Sequence, residues 1–238
     1  MKRETTNVIR TVIEDWIPPV LRDSPVFAWL AARVWGRHIH DLAAFRQKAA
    51  QLTEAEYEAL YRAHPRVHEQ TDNSKACIDR IIADIAGESV CDVGCGTGYL
   101  LTRIQKGRPE LKRLVGVDFV IDETQAPDGI SLQAAKIEAL PFEDNAFDTV
   151  VCTHVIEHIL DYCRAIAELR RIARKRLIIV VPREREFIYT FNPHFNFFPY
   201  THAFLRAMAP LPTEYSCDDI QRDIYYRETC ETPEVAAE

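Results

Sequence analysis

The run 153-THVIEHILD-161 sets His154 and His158 four residues apart with Glu157 between them, the H-x-x-E-H spelling of zinc peptidases. On a helix, residues i and i+4 share a face, so two imidazoles and a neighbouring carboxylate would converge on one ion. That chemistry needs a longer helix and a further protein ligand. The sequence shows no second His, Glu or Asp cluster at ligand spacing. No metal is expected on this reading, and zinc-dependent hydrolysis is set aside. His154 remains a candidate for proton transfer, because imidazole titrates near neutrality. His194 is the second candidate. It lies in the aromatic run 187-FIYTFNPHFNFFPYTHAFLRAM-208, and aromatic walls with one or two polar groups describe a small-molecule site.

The stretch 90-VCDVGCGTGYL-100 carries glycines at 94, 96 and 98, three of the eight in the chain. They follow an apolar strand and precede a helix. Such a turn lets a ligand approach the backbone closely and meet the N–H groups at a helix N-terminus. A dinucleotide fingerprint reads G-x-G-x-x-G. Here the third glycine comes one residue early, and Asp92 precedes the first. A carboxylate at that point would repel a pyrophosphate. The next apolar run, RLVGVDF, carries Asp118 roughly twenty residues past the loop, where nucleotide-binding α/β proteins place an acid on ribose hydroxyls. A carboxylate can accept from both hydroxyls at once.

The Asp92–Gly98 loop resembles motif I of the class I S-adenosylmethionine-dependent methyltransferases. The stretch 138-EALPFEDNAFDTVVCTHVIEHILD-161 is similar to L-P-F-x-x-x-x-F-D-x-V…E-H in their small-molecule branch. The likeness extends over about residues 74–182. It implies S-adenosyl-L-methionine as cofactor, bound by Asp92, Gly94, Cys95, Gly96, Gly98, Asp118, Phe119, Ile137, Glu138 and Thr153. Ile137 and Glu138 would meet the adenine ring. Lys136 departs from the pattern, which commonly has an aspartate there. The resemblance also puts His154 at the carboxyl edge of the sheet and packs His158 under the loop. It implies a small-molecule acceptor, a hydroxyl of a sugar or secondary metabolite. An amine, a lipid-like quinol or a protein side chain stays open as acceptor on the same fold, as does a non-catalytic cofactor-binding scaffold.

Positioning these residues needs alternating elements, and the sequence supplies them from residue 74 onward. SKACIDRIIADIA reads as an amphipathic helix capped by Asn73 or Ser74. SVCDV, RLVGVDF, ISLQAA, FDTVVCT and RLIIVVP read as strands. YLLTRIQKG and DYCRAIAELRRIA read as helices between them, and AFLRAM as a further one. Strands apolar throughout and separated by helices belong to a parallel sheet covered on both faces. RDIYYRE reads as a last strand, antiparallel and at the edge, and the cations from Arg170 to Arg176 as a solvated helix end. The expectation is a doubly wound, mostly parallel α/β sheet of Rossmann-like methyltransferase type over residues 74–238.

Residues 1–73 have almost no glycine and are punctuated by Pro18-Pro19, Pro25 and Pro65, which predicts a helical extension serving as lid or homodimer contact. Thr53 and Glu56 form the S/T-x-x-E box that opens a helix over 53–63. The segment 25-PVFAWLAARVWG-36 fits a membrane surface or the cap of a pocket, although such short aromatic stripes usually pack on a core. No secretory signal and no membrane span are expected. The net charge of -7 argues against general affinity for nucleic acid. Seven scattered cysteines without a C-x-x-C pair suit reduced thiols in the cytoplasm.

Overall fold

A computed structural model of the 238-residue chain describes residues 8–36, 44, 46–53, 55–57, 59, 71–121, 123–189 and 193–230. Seven strands form one sheet in the order β3-β2-β1-β4-β5-β7-β6. They are β1 (Ser89–Val93), β2 (Arg113–Asp118), β3 (Ser131–Ala134), β4 (Phe147–Thr153), β5 (Ala173–Pro182), β6 (Tyr215–Ile220) and β7 (Asp223–Thr229). The first five run parallel, while β7 lies antiparallel between β5 and β6.

Two apolar layers cover the sheet. Residues alternate faces along a strand, so β5 sends Leu177, Ile179 and Val181 to one layer and Ile178 and Val180 to the other. The first layer meets Ile166, Leu169 and Ile172 of the helix Tyr162–Ile172. Phe204 of the helix Thr201–Ala207 joins it. The second layer meets Ile78 and Ile81 of Lys75–Asp84, and Leu101 and Ile104 of Tyr99–Gly107. With water excluded from both faces, β4 is buried along its whole length, which accounts for the missing polar alternation. Ser74, not Asn73, caps its helix, accepting from the Cys77 N–H.

Two expectations need correction. The strand RDIYYRE is antiparallel but internal, and the edge is β6, which the sequence reading omitted. Its residues YSCDDI are largely polar, and the turn that joins it to β7 uses Gln221 and Arg222, both at positive φ, with no Asn-Gly or Asp-Gly signal. The cations from Arg170 to Arg176 are not a free helix end. Arg170 grips Glu228 of β7 at 2.8 Å, and Arg171 binds Glu168 and the carbonyls of Leu140 and Phe142. Arg174 and Lys175 already belong to β5 and converge on Asp148.

The N-terminal residues are helical where described. Pro19 and Pro25 each open a short helix, Pro19–Arg22 and Pro25–Trp35, at the position where a missing N–H costs nothing. Thr53 and Glu56 make the expected box, with the Thr53 N–H donating to Glu56 at 2.8 Å. Residues 61–63 of that helix, and Pro65, lie outside the described residues. Among the described residues no helix is long and apolar enough to cross a membrane. All seven cysteines are free thiols.

The N-terminal helices sit on the segment that follows β5. Arg10 donates to the Arg183 carbonyl and pairs with Glu14 at 3.0 Å. Arg222, from the β6–β7 turn, reaches Glu14 at 2.8 Å and Asp15 at 2.6 Å. Arg22 donates to the Glu186 carbonyl, and Ile188 N–H donates to Asp23. Glu14 is 4% exposed, so removing one of its two cations would leave a carboxylate poorly compensated out of water. Arg222→Met is expected to lower stability by roughly 3 kcal/mol in urea unfolding, with part of the loss recovered when Glu14→Gln is added.

Candidate functional site

Because β1, β2, β3, β4 and β5 run the same way, the loops at their carboxyl ends open on one edge of the sheet. Val93 pairs with Val117 on one side and Cys152 on the other, and Thr153 pairs with Val180. The glycine loop, Asp118, Lys136–Glu138 and Thr153–His154 are thereby brought to neighbouring positions. Open α/β sheets bind their ligands on that edge.

The loop itself is built from backbone. Gly94, Gly96 and Gly98 all have positive φ, which a side chain would strain. A Cβ on Gly94 would also lie 2.0 Å from Val155 Cγ2. The N–H groups of Gly94 and Cys95 both donate to the Val117 carbonyl at the end of β2. Gly96 N–H donates to Asp118 Oδ2 at 2.8 Å, and Val120 N–H donates to Oδ1. The acid that ends β2 therefore fixes the loop after β1. Gly116 leaves room for Cys95, whose Sγ would lie 2.6 Å from a Cβ there.

Asp92 is 1% exposed, and its Oδ1 has no hydrogen-bond partner among the described residues. Burial, helped by the nearby Asp118, pushes its carboxyl up to about 7. A buried carboxylate with an unused oxygen at a glycine loop fits a ligand that brings its own positive charge. The remaining expected contacts line the same edge. Ile137 is buried, Glu138 half-buried, and Lys136 lies over the Phe119 ring at 5.7 Å, a cation–π contact. Thr153 accepts from Asn73 Nδ2 at 2.8 Å. Asn73 is a residue the sequence reading missed. The sequence marks it only as a possible helix cap, yet it is buried at the end of β4 with its carbonyl oxygen lacking a partner among the described residues.

The two histidines of 153-THVIEHILD-161 do not share a helical face. His154 follows β4 directly with φ 55, its N–H donating to the Val180 carbonyl, and only a single tight turn, Ile156–His158, comes next. The His154 ring lies between two carboxylates, 3.6 Å from Glu157 and 3.9 Å from Asp223 at the start of β7. His158 turns to the other side, with Nδ1 3.2 Å from the Pro193 carbonyl. Burial and the neighbouring His194 push it down to about 4. His194 is 5% exposed, with Nδ1 2.6 Å from Glu184 Oε2. Burial would lower its pKa, but Glu184 reverses this and raises it. The same pair holds Glu184 down at about 2 against its burial, with His194 and then Arg10 as the causes. Glu184 and Asp223 were not singled out in the sequence, since neither belongs to a spaced motif.

A family profile described as a methyltransferase domain matches residues 91–181. The ubiquinone/menaquinone biosynthesis C-methyltransferase of Citrifermentans bemidjiense is 28% identical over 102 residues, covering 39% of this chain and 43% of that protein. The tRNA U34 carboxymethyltransferase of Campylobacter curvus is 33% identical over 95 residues, 37% of this chain and 31% of that protein. The match thus spans less than half the length of these curated relatives. A crystal structure of a SAM dependent methyltransferase from Aquifex aeolicus shares the fold, with a TM-score of 0.51 and 16% identity over 74% of this chain and 98% of the other. The match to this profile implies S-adenosylmethionine as cofactor.

The raised Asp92 carboxyl has a consequence for stability. Its folded value lies above the unfolded 3.8, so ionising it in the native state is unfavourable and stability falls as pH rises from about 4 to about 7. Asp92→Asn is expected to raise the melting temperature of the ligand-free protein, more at pH 8 than at pH 5.5, by the equivalent of roughly 2–4 kcal/mol at the higher pH.

Proposed function

We propose that the protein, whose residues 91–181 match a methyltransferase-domain profile, is a class I S-adenosylmethionine-dependent methyltransferase that moves a methyl group to a hydroxyl of a small molecule, a sugar or a secondary metabolite. The observation that carries the methyl-transfer reading is the pairing of Asp92 and Asp118 around a glycine loop. One has a spare buried oxygen, and the other is already fixed to that loop. When bound, S-adenosylmethionine supplies a methyl group on a sulfonium, already activated for displacement.

The chain's own residues have the tasks of binding, orientation and water exclusion. Asp92 is placed to accept from an ammonium. Asp118 spends one lone pair on each of two backbone N–H groups and keeps acceptor capacity for ribose hydroxyls. Ile137 offers an apolar surface and Glu138 a carboxylate for an adenine. Asn73 and Thr153, joined at 2.8 Å, flank the end of β4. His154 is the proposed general base for a hydroxyl, its ring held between Glu157 and Asp223. His194, tied to Glu184, is read as shaping the acceptor side. The described N-terminal residues 8–36, resting on 183–188, are proposed as its lid, in an extension spanning 1–73 beside a cofactor-binding domain of 74–238.

A lipid-like quinol is the second reading. It draws on the quinone-pathway relative and on the exposed Val26, Trp29, Leu30 and Val34 of the N-terminal helix Pro25–Trp35. Calorimetric titration with S-adenosylmethionine and S-adenosylhomocysteine is expected to give micromolar binding, weakened at least about tenfold by Asp118→Ala. No binding of either ligand to the unmodified protein would refute the reading. Methyl-labelled cofactor incubated with small-molecule, lipid and tRNA fractions should then label a hydroxyl in the first. Label in tRNA or at a quinone carbon would overturn the acceptor class. His154→Gln is expected to slow transfer by about a hundredfold while leaving cofactor affinity in place.

A further inference from the structure

Glu157, His158 and His194 come from two separated segments, yet one ligand atom of each lies within 4.8 Å of those of the other two. Glu157 and His158 are in the turn that follows β4. His194 arrives from the run after β5 and is held there by backbone. The N–H groups of Phe195 and Asn196 both donate to the Glu157 carbonyl, at 2.7 and 3.0 Å. Asn196 Nδ2 also donates to the carbonyls of Ile156 and Ile159. The three side chains are thus gathered by a preformed scaffold.

Each is oriented from behind. His158 has Nδ1 on the Pro193 carbonyl, and His194 has Nδ1 on the Glu184 carboxylate, so Nε2 is the nitrogen through which each would ligate. Glu157 has Oε1 facing His154 at 3.6 Å, while Oε2 has no hydrogen-bond partner among the described residues. Glu157 is 1% exposed, and a buried carboxylate oxygen without a donor is costly. Imidazoles fixed through Nδ1 to a carbonyl or carboxylate are what metal ligation ordinarily requires. From this geometry we infer that Glu157, His158 and His194 bind a divalent transition-metal ion, with Zn²⁺ the best match.

Two imidazole nitrogens and one carboxylate oxygen suit zinc, whereas Mg²⁺ and Ca²⁺ prefer oxygen alone. Zinc bonds of about 2.0–2.2 Å draw the three atoms inward by about 1 Å, within reach of side-chain rotation. Three protein ligands leave a fourth position for water or an acceptor oxygen. The ion would also staple the run after β5 to the end of β4. The site differs from the one the spelling H-x-x-E-H suggests. His154 is not a ligand but the group behind Glu157, and the second imidazole comes from 36 residues beyond His158.

The inference does not depend on methyl transfer, and its test does not measure it. The full chain, stripped by chelator and dialysed, would be titrated with Zn²⁺ against a chromophoric competitor and separately with Co²⁺. One ion per chain is expected. The Co²⁺ visible spectrum should be that of a low-symmetry site without a thiolate charge-transfer band. Glu157→Gln and His194→Gln should each weaken binding at least about tenfold, and Glu184→Gln by about tenfold through its hold on His194. Circular dichroism and S-adenosylhomocysteine binding would check that each variant is folded; if His194→Gln is not, the isosteric Glu157→Gln decides. Absence of stoichiometric binding to the unmodified protein would overturn the inference. So would a thiolate band, or affinity unchanged in folded variants.

Discussion

The parallel run of β1, β2, β4 and β5, buried on both faces, is the constraint on which the rest depends. Strands without a wet face have only their ends in which to place polar chemistry. Their carboxyl ends coincide, so Asp92, Asp118, Thr153 and His154, which are far apart in sequence, become neighbours along one edge. The loop after β1 then has little freedom. Its first N–H groups are spent on the Val117 carbonyl and the third on Asp118, leaving glycine as the residue that tolerates the resulting φ.

A second layer of constraint is electrostatic. Glu184, two residues after β5, is buried yet kept ionised by His194 and Arg10. Arg10 and Arg222 in turn hold Glu14, so the N-terminal helices, the run after β5 and the β6–β7 turn share one network. Charges out of water demand partners with fixed geometry. The network therefore fixes where the segment 183–196 runs, and with it the position of His194. The same segment delivers Phe195 and Asn196 to the Glu157 carbonyl. The part of the sheet edge around His194 is accordingly shaped by long-range pairing, while the part around Gly94–Gly98 is shaped by a local loop.

This division explains which parts were legible in the chain. The strands β1, β2, β4 and β5 and the helices between them were readable because uninterrupted apolar runs and amphipathic periods are local signals. The glycine loop was readable for a similar reason, since positive φ restricts residue choice at each position. The edge strand β6 was not, because YSCDDI has neither apolar alternation nor a glycine turn, and its pairing with β7 supplies what its composition lacks. The arginines from 170 onward read as solvated because a single sequence does not show that Glu228 and Asp148 await them.

The sequence by itself determined the parallel strands, the helices between them, and the acids and glycines of the loop after β1, all of which follow from spacing within a few dozen residues. Only the tertiary structure decided what the histidines do. Spacing suggested that His154 and His158 act together on one helix. The left-handed residue at His154 sends the two rings apart, one toward Asp223 and the other toward His194. Partners 36 or more residues away cannot be inferred from a period of 3.6, because they are chosen by which strand ends and buried charges the fold brings together.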